Sequence, residues 1–116
     1  MITIQTDGNI IYTIARQELT NEDYNILIPA LERLAEGSKS IRWYFEMQDF
    51  KGWELQAFWK DVKFDLKHRN DFEKVAMIGE KRWEQWLAEV LKPFTKATVK
   101  YFELESKQEA KNWIAT

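Results

Sequence analysis

The stretch Ile41–Met47, IRWYFEM, sets the tightest limit on the fold. It is a nearly continuous run of β-branched and aromatic residues. Such a run leaves no face for water, so it predicts a central strand covered on both sides. A doubly covered strand calls for parallel neighbours, with helices as the crossovers.

The rest of the chain supplies them. Ile2 and Ile4 alternate with Thr3 and Gln5, the pattern of a half-buried strand. Asp7-Gly8-Asn9 reads as a turn, with Gly8 free to take positive φ, and Ile10–Ala15 as the second strand of a hairpin. Thr20-Asn21-Glu22-Asp23 fits a helix N-cap with an acid three residues on. Tyr24, Leu27, Ile28, Leu31, Leu34 and Ala35 follow at helical spacing. Pro29 lies inside that pattern and predicts a kink, and Gly37 predicts its C′ end. Beyond the central strand, Phe50–Phe72 reads as a second helix and Phe72–Ile78 as a strand. Glu80–Leu91 reads as a third helix and Ala97–Leu104 as a last strand. Ser106 is placed to cap a final helix that turns Ala110, Trp113 and Ile114 inward. The order β-β-α-β-α-β-α-β-α predicts an α/β fold with right-handed crossovers. With 116 residues, 45% of them hydrophobic, the chain suits a single domain over residues 1–116 with its own core.

Several segments carry a resemblance: LTNEDY after the hairpin, DFKGWELQAFWKDVKFDLKH, FEKVAMIGEKRWEQW, KPF, VKYFE and the closing EAKNW. Together they resemble the SpoIIAA-like family, within the STAS and CRAL-TRIO-related group. The resemblance implies a β-α superhelix: a five-stranded mixed sheet with an antiparallel edge strand, the other strands parallel, and four helices. Regulatory STAS relatives that act as anti-anti-sigma factors place a phosphorylatable serine after the third strand. Here that segment reads Asp49-Phe50-Lys51-Gly52, and Lys51 cannot be phosphorylated. The family is also associated with apolar-ligand pockets and membrane association.

The second predicted helix has two apolar faces. On a wheel of 100° per residue, Leu55, Phe58, Trp59, Val62 and Leu66 share the core stripe. Trp53, Ala57, Lys60, Phe64 and Lys67 share the opposite one, with Lys63 adjacent. Three readings remain open. In the first, Trp53 and Phe64 fill gaps between helices while the lysines cover apolar area with their stems. In the second, the stripe walls a ligand cavity, with Trp83 and Trp86 opposite and Phe94 beyond Pro93; Phe58 and Trp59 line it, and Lys60 or Lys63 meets a polar head. In the third, the stripe meets a membrane surface or a partner.

Chemistry is thinly represented. Asp61, Asp65 and His68 lie on one flank, but no second histidine completes a site, and Asp65 is spaced to pair with Arg69. The absence of cysteine excludes disulfides and thiolate metal sites. The four glycines are scattered, so no loop cradles phosphate. A net charge of −2 gives no pull toward nucleic acid.

The resulting expectation is a non-enzymatic domain that takes no metal or cofactor and binds an apolar or amphipathic, lipid-like small molecule. It is expected in the cytoplasm, in peripheral contact with membrane at most, and a homodimer is compatible. The alternative is a STAS-type interaction module that works without the serine, with its partner surface at Asp49, Lys51 and Trp53.

Overall fold

In a computed structural model, the described residues are 2–17, 20–37, 40–49, 72–80 and 97–116. They form β1 (Ile2–Asp7), β2 (Ile10–Arg16), α1 (Asn21–Gly37), β3 (Ile41–Gln48), β4 (Phe72–Gly79), β5 (Thr98–Glu103) and α2 (Lys107–Ala115). The strands make one sheet in the order β1-β2-β3-β4-β5. β1 runs antiparallel to β2, and every later pair is parallel. The mixed sheet with an antiparallel edge therefore stands as expected. The expected four helices are corrected to two among the described residues. Helical periodicity states what a stretch would bury; it does not itself count the helices of a fold. The helices expected at Phe50–Phe72 and Glu80–Leu91 fall on 50–71 and 81–96, outside the described residues.

Local chemistry explains the joints. Asp7 pairs with Ile10, so Gly8 and Asn9 alone make the hairpin turn. Gly8 has φ 60°, which a tight hairpin needs at its first central position. At the start of α1, Thr20 Oγ1 accepts from Asp23 N at 3.3 Å, and Asp23 Oδ2 accepts from Thr20 N at 2.9 Å. This is a reciprocal capping box. The helix continues through Pro29 as one element and ends on Gly37. Gly37 does not take the positive φ expected of a C′ glycine. Ser106 stands at the cap position of α2 without a side-chain cap bond; a 3-10 turn, Leu104–Ser106, leads in.

Side chains of the sheet alternate between two faces. The first packs Ile11, Ala15, Trp43, Phe45, Met47, Val75 and Met77 against Leu27, Leu31 and Ala35 of α1. Each fully buried leucine there stabilises the fold by roughly 1.5–3 kcal/mol. Trp43 meets Phe45 edge-on at 5.4 Å and donates Nε1–H to the buried Thr13 Oγ1 at 3.1 Å. The second face packs Ile10, Tyr44, Ala76 and Ile78 against Ala110 and Ile114 of α2. α2 lies over β3, β4 and β5. Its C-terminal carbonyls are held from the sheet: Arg42 donates to Ile114 O at 3.0 Å and Lys74 to Trp113 O at 3.3 Å. Cations at a helix C-terminus oppose its dipole favourably.

Candidate functional site

The second face carries polar residues where the first carries core. Strand register sets them in rows. One row runs Gln5, Tyr12, Tyr44, Ala76; the next runs Thr3, Ile14, Glu46, Ile78. α2 covers the β3–β5 side of this face. Beside it, over β1–β3, lies a groove of about 410 Å³ lined by Thr3, Gln5, Tyr12, Ile14, Tyr44 and Lys111. Tyr12 and Tyr44 form its aromatic floor, with ring centroids 5.6 Å apart. Lys111 reaches from α2 over the Tyr44 ring at 5.9 Å.

Beside the floor, in the next row of the same face, sits Glu46, 1% exposed. A buried carboxyl is costly unless its oxygens are matched. Both are: Tyr44 donates to Oε1 at 2.6 Å, and Gln48 Nε2 donates to Oε2. Gln48 Oε1 in turn accepts from Arg16 Nε at 3.0 Å. A string of polar groups thus runs from the groove to the carboxyl ends of β2 and β3. Burial pushes the Tyr44 hydroxyl well above its ordinary value, and its bond to Glu46 pushes it further.

At those carboxyl ends the chain turns sharply. Gln17 has φ 60° and Asp49 φ 55°, both left-handed without being glycine. Gln17 N donates to Gln48 O at 2.9 Å, which ties the two turns together. Asp49 is exposed there.

The chain matches the SpoIIAA-like family model over residues 10–115. The chain belongs to the SpoIIAA-like family. It is similar to a crystallised, uncharacterized protein from Shewanella loihica with a SpoIIAA-like fold. The two are 29% identical, the likeness covers 98% of this chain and 92% of that one, and the TM-score is 0.61. No curated protein matches. As a SpoIIAA-like domain of the STAS type, the protein is regulatory and non-enzymatic.

Of the site residues expected from sequence, Asp49 is described, on the shoulder after β3. Lys51, Trp53, Phe58, Trp59, Lys60, Lys63, Phe64, Trp83, Trp86 and Phe94 lie outside the described residues, as do Asp61, Asp65 and His68. No described helix is long and apolar enough to cross a membrane. Among the described residues no group of three His, Cys, Asp or Glu is placed to hold a metal. The groove itself was not anticipated. Its signal was present as Glu46, the one acid in IRWYFEM, flanked by Phe45 and Met47 in a largely apolar run.

Proposed function

We propose that this SpoIIAA-like domain works by binding an amphipathic small molecule in the groove beside α2. The observation that carries the reading is the groove's composition. Tyr12, Ile14 and Tyr44 offer an apolar bed, while Thr3, Gln5 and Lys111 stand around it. Pockets of this kind place an apolar body by burial and orient it with a few polar groups. Its volume, about 410 Å³, is within the usual range for a small-molecule site, roughly 300–1,000 Å³. Lys111 is the cation that selects an anionic head, so a carboxylate with a short chain or one ring is the fitting class.

The test is an NMR titration with octanoate and with phenylacetate. Shifts at Tyr12, Tyr44 and Lys111 are expected, with affinity falling at least tenfold in Lys111→Glu and unchanged in Lys107→Glu. Shifts scattered over the surface, or none, would refute it. Native mass spectrometry of the freshly purified protein should also find a retained ligand.

A second reading is favoured by Asp49. An exposed acid on a left-handed shoulder, tied to its neighbour through Gln17, suits a protein partner surface that Lys51 and Trp53 would extend. Capture of a partner lost on Asp49→Lys, with octanoate binding intact, would separate the two. The aromatic–lysine stripe of Trp53, Lys60, Lys63 and Phe64 would add peripheral membrane contact. Co-sedimentation with anionic vesicles, abolished by Phe64→Glu, tests that part; no co-sedimentation removes it.

A further inference from the structure

β1 is the outer strand of the sheet. Its two-residue turn makes Asp7 and Ile10 a pair that exchanges hydrogen bonds. Bonded and non-bonded pairs alternate from there. Asp7, Gln5 and Thr3 therefore aim their backbone groups at β2, while Thr6, Ile4 and Ile2 aim theirs outward. β2 agrees independently. Arg42 N donates to Asn9 O, and Gln17 N to Gln48 O, each at 2.9 Å. The odd-numbered backbone groups at both ends of β2 thus serve β3, which leaves the even ones for β1. Among the described residues, no strand pairs with the outward groups of Ile2, Ile4 and Thr6.

Sheet edges are ordinarily blunted by lysine, proline, a bulge or an inward charge. β1 reads ITIQTD, with no lysine and no proline. Its register with β2 is unbroken, and its one charge, Asp7, sits at the turn. This edge is regular, and from Ile2 to Thr6 it carries no charge.

We infer that β1 pairs, antiparallel, with β1 of a second copy of the chain about a twofold axis at Ile4. The register follows from the outward groups. With Ile4 opposite Ile4 of the partner subunit, Ile2 faces Thr6 of the partner subunit and Thr6 faces the partner's Ile2. All three outward residues are then used, about six hydrogen bonds at two per pair. A slip of two residues either way leaves two pairs. The same register sets Ile4 against its twin on the α1 face, where Ile2 and Ile4 already pack on the core. On the other face it sets Thr3 opposite the partner's Gln5, so the second copy borders the groove. No like charges meet between Ile2 and Thr6. A strand of another sequence would have to supply this pattern, whereas a second copy brings it by symmetry. A contact made by one short strand per copy is small beside the roughly 20–30 residues a side of standard complexes, so the dimer is reversible. The inference rests on the edge and stands or falls apart from the groove's ligand.

Sedimentation equilibrium and concentration-dependent amide exchange test it. The mass should rise from 14.0 kDa toward twice that value as concentration increases. Amide exchange at Ile2, Ile4 and Thr6 should slow in parallel, while Thr3 and Gln5, already bonded to β2, stay constant. Thr6→Pro removes an outward donor without touching the β1–β2 ladder. It should hold the mass at 14.0 kDa with exchange at Thr3 and Gln5 unchanged. A wild-type monomer at every concentration overturns the inference. So does a dimer whose Ile4 and Thr6 amides still exchange at the monomer rate, or one that survives Thr6→Pro. Should that variant fail to fold, the wild-type exchange pattern alone decides.

Discussion

Removing the Tyr44 hydroxyl is the sharpest test of the polar string. The oxygen is fully buried and donates to Glu46 Oε1 at 2.6 Å. The Tyr44→Phe variant keeps the ring, and hence its packing on Tyr12 and under Lys111. It leaves a buried carboxyl oxygen without that donor, which costs about 1–3 kcal/mol at neutral pH. The pH dependence gives a second and independent reading. Burial, with the bond to Glu46, holds the folded-state hydroxyl protonated beyond its ordinary value. In the unfolded chain it ionises near pH 10. Above that pH the unfolded state has lost a proton that the folded state keeps, so stability falls as pH rises. The slope from this group approaches about 1.4 kcal/mol per pH unit. Its contribution is complete below about pH 10 and is lost above it. Urea unfolding followed by circular dichroism, from about pH 7 to about pH 11, should show wild type ahead at neutral pH and the two curves converging above about pH 10. A gap that stays constant across this range would refute the assigned burial and partner. So would equal stability at neutral pH.

Four further predictions follow from local contacts. Thr20→Ala should cost about 1 kcal/mol by urea unfolding, because Thr20 Oγ1 caps α1 through Asp23 N; unchanged stability would show the box to be idle. Burial pushes the Asp23 carboxyl up, but several hydrogen bonds, the Thr20 backbone N–H first among them, and a nearby positive charge together hold the group below its ordinary range. Asp23 therefore contributes stability above about pH 4 that is lost as pH falls, and Asp23→Asn should flatten that part of the acid-unfolding curve. Thr13→Val should cost about 1–3 kcal/mol, since it leaves the buried Trp43 indole N–H without its acceptor; a smaller loss would mean that the indole finds another. Gly79→Ala should cost about 1–3 kcal/mol by overpacking, as a Cβ there would lie 3.0 Å from Tyr101 Oη and 3.1 Å from Met47 Cε. Adding Tyr101→Phe should restore part of that loss, and a purely additive double variant would refute the clash.

The sheet was legible because its signals are local. Alternation marks β1, a nearly continuous β-branched and aromatic run marks β3, and Thr20 with Asp23 announces the start of α1. The hairpin turn, too, is written in Gly8 and its neighbours. The groove was harder to read because it is assembled across strands. Gln5, Tyr12 and Tyr44 become neighbours through two registers, one antiparallel and one parallel, and neither register is visible in any window of sequence. Lys111 joins them from α2, more than sixty residues after Tyr44. The helical wheel drew attention to Phe50–Phe72 because aromatic content is conspicuous, while a single glutamate in an apolar strand is not. Gly37 shows the limit of a one-residue signal: it ends the helix without using the conformation that makes glycine special.

The two faces of the sheet answer different physical demands. Among the described residues, the α1 face is closed by hydrocarbon and aromatic packing, and the buried Thr13 hydroxyl there is matched by Trp43. Nothing about stability requires a carboxyl on the opposite face. A buried acid with its oxygens matched is seldom worth more than a well-packed apolar side chain of similar volume. Glu46 nonetheless stands between Ile14 and Ile78 in the row next to Tyr44, matched by Tyr44 on one side and by Gln48 on the other. Its effect is positional. It fixes the Tyr44 hydroxyl beside the groove and holds Gln48, which accepts from Arg16, beside the shoulder at Gln17 and Asp49. A glutamate that adds little to stability yet orders both the floor and the shoulder is better accounted for by what those surfaces bind than by the packing of the fold.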